Sequence, residues 1–299
     1  MKIVLQQVLI LYIFLLVGWF LGKRNKEQAA RTGILSYLLV NFFLPCKIIH
    51  TFSEQFTIPY LKEQYVNILI ATGLMLVLHL LSLLVSKWFT KDAYQRKVYQ
   101  YSLVVSNYAY MGYGLVEGIF GSAGLMDFIV FCIPMSLYIY VYGYALLTGG
   151  GFSWKKLCNP LMISIVIGIV FGLTGITLPG PITKVMSGAS ACLSPISMIL
   201  TGMTLSTLTV KDLIKDKASY IFVLMRLLAL PALVALCCKL FGMSGLANTA
   251  VVYAALPSGM NVVVFPKLVG EDATCGAKLV FLSNLFSCIT IPICMALFL

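Results

Sequence analysis

Charge is what this chain has least of. Only 10% of its 299 residues are Asp, Glu, Lys or Arg, and the acidic ones number 10. A soluble domain carries about 25% charged residues, so an ordinary water-facing surface is excluded. No two carboxylates share the middle of an apolar run, which removes the strong signature of a proton or sodium exchanger. H-E-x-x-H, G-x-S-x-G and a phosphate-binding glycine loop are all missing, and histidines number 2. The chain is therefore not read as an enzyme or an ATP-driven pump. The 9 cysteines sit singly in apolar runs, apart from the neighbours Cys237 and Cys238, and form no C-x-x-C pair. They read as small apolar side chains, so neither a metal site nor a disulfide frame is expected, nor any organic cofactor.

What the chain has in excess is hydrocarbon. Hydrophobic residues make up 60% of it and the mean hydropathy is +0.97, which indicates an all-α polytopic membrane protein. The first apolar run, Ile3 to Leu21, lacks a small-residue cleavage site and is followed by Lys23-Arg24-Asn25-Lys26, so it reads as a span and not as a signal peptide. Cutting the runs at charged or Gly/Pro breaks gives about ten spans, near 3–22, 32–52, 64–89, 98–120, 125–148, 160–178, 185–208, 218–241, 246–270 and 274–298. No room remains for a soluble domain.

The net charge of +11 falls mainly in short connections. Lys23, Arg24, Lys26 and Arg31 follow the first span, and Lys87, Lys91, Arg96 and Lys97 the third. Lys155 and Lys156 follow the fifth, Lys211, Lys215 and Lys217 the seventh, and Lys267 and Lys278 flank the turn after the ninth. The other side holds Lys2, Lys62, Lys184 and Lys239. That bias makes the odd-numbered connections cytoplasmic and puts both termini outside a cytoplasmic membrane. Lipid accounts for the basic residues, and no nucleic-acid partner is implied.

Two spans are interrupted, at Ser106 to Gly114 (SNYAYMGYG) and at Ala255 to Pro266 (ALPSGMNVVVFP). Asn, Ser, Gly and Pro loosen a helix or compete for its backbone bonds, and in hydrocarbon such backbone survives only inside protein or beside a cavity. Spans four and nine are thus expected to be broken helices that hold a substrate near the midplane. Gly112 and Gly114 are the expected break points of the first, and Pro257 and Gly259 those of the second. A shift of 149 residues superposes Met111 on Met260 and Gly121 on Gly270, suggesting repeats over 1–153 and 154–299. Five spans per half is an odd number, so the second repeat would be inverted.

Candidate substrate contacts are Ser106, Asn107 and Tyr110 at the first break, and Pro257, Ser258 and Asn261 at the second. A half-helix starting there presents free N–H groups and its positive dipole end, a seat for a carboxylate. Arg226, near the middle of span eight, needs a partner: either the electronegative end of a broken half-helix or the anion itself. His79, Glu117 and Asp127 are the candidates for a proton or coupling cation, with the two carboxylates placed at the outer turn between spans four and five. Lys47 and His50 lie toward the outer end of span two, where they can snorkel to headgroups.

Divided this way, the chain resembles the short form of the auxin efflux carrier family. The residues that carry the resemblance run through its whole length: Leu44-Pro45, Ser106-Asn107, Met111-Gly112, Phe120-Gly121, Tyr142-Gly143, Asn159-Pro160, Pro195-Ile196-Ser197-Met198, Gly202, Arg226-Leu227, Pro231, Leu256-Pro257, and Ser287 with Thr290-Ile291-Pro292. The resemblance implies ten helices in a five-plus-five inverted repeat, with helices four and nine broken and crossing. It implies a scaffold of spans one, two, six and seven that forms a homodimer, and a moving bundle of spans three to five and eight to ten. Two features depart from the family: Gly114 and Val262 stand where prolines occur, and Pro134-Met135-Ser136 replaces a polar Asn. The implied function is secondary transport of a small organic anion, a carboxylate or auxin-like acid, by alternating access, with Na+ or H+ coupling open. A receptor or sensor on the same fold is the alternative.

Overall fold

A computed structural model describes residues 1–25, 33–150, 158–207 and 216–299. Lys26, Arg31, Lys155, Lys156, Lys211 and Lys215, part of the charge bias above, lie outside the described residues. The described backbone is mostly helical, with no strand beyond one isolated bridge. Its helices are α1 (Lys2–Arg24), α2 (Gly33–Gln55), α3 (Ile58–Phe89), α4 (Ala93–Val104), α5 (Tyr108–Thr148), α6 (Pro160–Thr174), α7 (Gly180–Ser206), α8 (Lys217–Leu240), α9 (Ser244–Ala255), α10 (Asn261–Leu268) and α11 (Thr274–Phe298). Seven of them, α1, α2, α3, α5, α7, α8 and α11, are long and apolar enough to cross a membrane. The chain is a multi-pass membrane protein.

Local chemistry sets the helix ends. Thr57, Asp92, Asn159 and Asp216 each accept a backbone N–H of the helix they precede, which satisfies one orphan donor of the first turn. Pro45 and Pro231 each sit two residues beyond a π turn, at Leu39–Phe43 and Met225–Ala229. A proline ring crowds the carbonyl four residues back and offers no N–H, so the preceding turn widens. Within the 41 residues of α5 the chain turns at Gly121, whose φ of 72° and ψ of −170° suit only glycine.

Helices in lipid gain little from the hydrophobic effect between them, so close packing of small residues holds them together. α1 lies along α7, where Gly18 rests on the backbone of Ile199, and Gly202 on the carbonyl of Leu15 and the nitrogen of Trp19. A Cβ at either glycine would overlap a main-chain atom. α2 packs on α6 and α7, and Gly168 and Gly172 of α6 meet Phe52 and Phe56. The remaining helices pack mainly among themselves: α3 on α4 and α5, α8 on α9 and α11, and α4, α9 and α10 on α11.

Lys47 does not snorkel. It is 3% exposed and its Nζ lies 2.5 Å from Glu117 Oε2 on α5, so Glu117, 41% exposed, is ion-paired as well as partly solvated. The apolar packing around α2 leaves the ammonium no route to water, and the carboxylate is its counter-charge. Glu117→Gln should lower stability by about 1–3 kcal/mol, less than the full cost of breaking a buried pair because one partner is half in solvent. Adding Lys47→Met should recover most of that loss in thermal melts. A single variant as stable as the wild type would show that the pair contributes nothing.

Candidate functional site

The two interrupted segments meet. α4 ends at Val104 and the next helical turn starts at Tyr108; α9 ends at Ala255 and α10 starts at Asn261. Between them Ser106 and Ser258 form an antiparallel bridge, with Asn107 N–H donating to the Pro257 carbonyl at 2.8 Å and Gly259 N–H to the Val105 carbonyl at 3.0 Å. Each break therefore satisfies backbone groups that the other has freed, as hydrocarbon requires. Tyr253 reinforces the joint: its hydroxyl donates to the Val104 carbonyl at 2.8 Å, and Ser106 Oγ donates to the Tyr253 carbonyl at 2.6 Å.

The first break lies at 105–107 and not at the glycines. Gly112 is helical, with φ −64° and ψ −43°, and Gly114 lies inside α5. Pairing with a second strand-like segment holds the backbone open where Val105 and Asn107 stand, so glycine is not needed there. The glycines provide room instead: a Cβ on Gly112 would come within 2.6 Å of Leu256 Cδ1, and one on Gly114 would overlap the Ser194 hydroxyl of α7. The second break, 256–260, contains Pro257 and Gly259.

Arg226 is fully buried, at 0% exposure, and reaches the crossing from the π turn of α8. Its Nε donates to the Ser102 carbonyl at 2.6 Å and its Nη1 to the Leu256 carbonyl at 2.5 Å, with the Ala254 carbonyl at 3.4 Å. Nη2 donates to Ser106 Oγ at 2.8 Å. Among the described residues no carboxylate is within ion-pair distance of it. Of the two partners open to it from sequence, the structure shows the first: the carbonyl ends of α4 and α9.

Beside the crossing is a cavity of about 40 Å³, lined by Ser106, Asn107, Tyr110, Tyr140, Met260 and Asn261, with Val40 and Leu44 of α2 also on its wall. That volume holds a few waters at roughly 10–15 Å³ each. The N-terminal ends of α5 and α10 border it at Tyr108 and Asn261. Asn107 is 3% exposed, and among the described residues its Nδ2 has no acceptor. The Tyr110 carbonyl, widened away from its own helix by the π turn Tyr108–Gly112, is taken by Ser197 Oγ of α7 at 2.8 Å.

Other candidates fall elsewhere. Ser258 is buried behind the joint, its N–H on Ser283 Oγ at 3.1 Å and its own hydroxyl 3.4 Å from the Ser102 carbonyl. Pro257 contributes its carbonyl to the pairing and no surface to the cavity. His79 Nδ1 is 3.2 Å from Tyr138 Oη, with its ring edge-on to Tyr142. Asp127 accepts from Tyr60 Oη at 2.7 Å and Gln64 Nε2 at 3.1 Å, beside a separate cavity of about 210 Å³. Sequence reasoning passed over Tyr140, Tyr253 and Ser197. Only Ser197 had a signal, its place in the run Pro195-Ile196-Ser197-Met198. Ser136, in the run that departs from the family, bonds Tyr108 Oη at 2.8 Å.

Buried, paired breaks inside a bundle of apolar helices are an arrangement that secondary transporters use. The family described as "Membrane transport protein" matches residues 3–153 and again 147–295. The chain belongs to that family, the one of the auxin efflux carriers. It is also 28% identical over 195 residues to an "Uncharacterized transporter" of Methanothermobacter thermautotrophicus, covering 62% of this chain and 63% of that one. The chain thus spans less than two thirds of that relative's length.

Proposed function

We propose that this protein is a secondary carrier of small organic anions such as carboxylates, working by alternating access with the anion held at the crossing. The observation that carries the reading is Asn107: a buried amide whose nitrogen has no partner among the described residues, on a cavity bordered by two helix N-termini. Such ends attract anions without burying a full charge. Asn261 lines the same cavity.

In this reading the chain crosses the membrane ten times. α4 and α5 up to Gly121 make one crossing, the rest of α5 another, α6 one, and α9 with α10 one, beside the six other long helices. The double family match supports an inverted repeat, as do Gly121 and Gly270, 149 residues apart, which both carry positive φ near the end of a broken helix. Mutual packing of α1, α2, α6 and α7 supports a static scaffold against which the other helices shift as one body. With cytoplasm at the odd-numbered connections, an inside-negative potential drives an uncoupled anion outward.

Purified protein in liposomes, offered a panel of labelled mono- and dicarboxylates and indole acids, tests this. Saturable flux of one class is the expected result, and repeating it with and without Na+ or a pH gradient assigns the coupling. Saturable binding without flux would replace the carrier by a sensor, and neither binding nor flux of any acid would end the anion reading.

A further inference from the structure

The two breaks leave a cluster of oxygens poorly served by their own segments, where the Ser258 hydroxyl makes only a long contact, 3.4 Å, with the Ser102 carbonyl. The carbonyls of Ser102, Ala254 and Leu256 and the hydroxyl of Ser106 converge on one point deep in the protein. These are the C-terminal ends of two half-helices, each with the negative pole of its dipole turned inward. Carriers with discontinuous helices place a mobile coupling cation against oxygens of this kind, unwound carbonyls and half-helix C-termini. Here a side chain of the protein already occupies the point.

We propose that Arg226 is a tethered cation: its guanidinium fills the seat that a dissociable ion would otherwise need, so the crossing is neutralised permanently and requires no Na+. The chemistry fits the residue. A guanidinium carries five N–H donors in one plane, stays protonated, and is more weakly hydrated than an ammonium. Three of its nitrogens here serve four oxygens drawn from α4, α9 and the breaks that follow them. Its burial is complete, and an unpaired charge at such depth would be costly, so the oxygens and the cation each depend on the other. Arg226 does not line the 40 Å³ cavity. It is a positioning residue, acting on the anion only through the two half-helices it joins. Independence of transport from Na+ rests on the carrier reading above; the cation seat does not.

The test uses the full chain in detergent. Arg226→Ala opens the seat, and melting is followed with 20 mM guanidinium, methylguanidinium, Na+ or choline chloride at constant ionic strength. The wild type is expected to melt at the same temperature in Na+ and choline. The variant should melt at least 5 °C lower in choline and regain half or more of the loss in guanidinium. No rescue by guanidinium, or a wild type stabilised by Na+ over choline, overturns the proposal. Should Arg226→Ala fail to accumulate, Arg226→Lys is compared with Arg226→Met, which has similar reach and no charge. Accumulation of the Lys form alone supports the tethered cation, and equal loss of both overturns it. These readouts need no flux, so a failed liposome assay would remove the carrier reading and leave this result standing.

Discussion

Asn107→Leu is expected to yield a folded protein at least as stable as the wild type, with binding or flux of the anion reduced more than tenfold. The opposite signs follow from one fact. Asn107 is buried and its Nδ2 has no acceptor among the described residues, and an unsatisfied buried donor costs about 1–3 kcal/mol. Leu has a similar volume and removes that cost. If the amide is kept for a ligand, the same change deletes a hydrogen bond to a charged group, worth about 1.5–3 kcal/mol, against about 1.4 kcal/mol per tenfold in affinity. Thermal melts and ligand binding on one preparation read both. A residue kept only for packing would lose stability and leave the affinity per folded molecule unchanged, and that pattern would sink the site.

Gly202→Leu is expected to abolish recovery of folded protein. The nearest atoms to a Cβ at this position are the carbonyl oxygen of Leu15 and the backbone nitrogen of Trp19, which cannot rotate away as a side chain could. Overfilling a packed interface costs about 1–3 kcal/mol and more when backbone must move, and the α1–α7 contact would have to separate along its length. Gly188→Leu, in the same helix, is the control: nothing lies within 4 Å of its Cβ, and it should behave as wild type. The measurement is the monodisperse fraction on size exclusion, and equal behaviour of the two variants would show that close helix approach is not what holds this pair.

Much of the architecture could be read from residue order because lipid is an exacting solvent. Long apolar runs, basic clusters between them and two patches of Asn, Ser, Gly and Pro were enough to anticipate the helical class and the two interruptions. Register was not readable. The break at 105–107 is held open by backbone partners at 257 and 259, about 150 positions along the chain, and main-chain carbonyls leave no trace in a sequence. For Arg226 the absence of an acidic mate left a half-helix end as one of two expected partners, but which carbonyls, and the Ser106 hydroxyl beside them, had no signal. Glycine misled at 112 and 114 because it serves close approach as readily as flexibility. The ion pair of Glu117 was not readable because its cation, Lys47, comes from a different helix 70 residues earlier.

The bridge between Ser106 and Ser258 also carries a consequence for biosynthesis. Ribosomes add about 5–20 residues per second, so the earlier segment waits on the order of 10–30 s for the later one to emerge. Throughout that interval its exposed amides have no mate within the nascent chain and must be sheltered by the insertion machinery or by water. An amino-terminal half expressed alone would stay in that condition indefinitely, which marks it for proteolysis; supplying the other half in trans should rescue it.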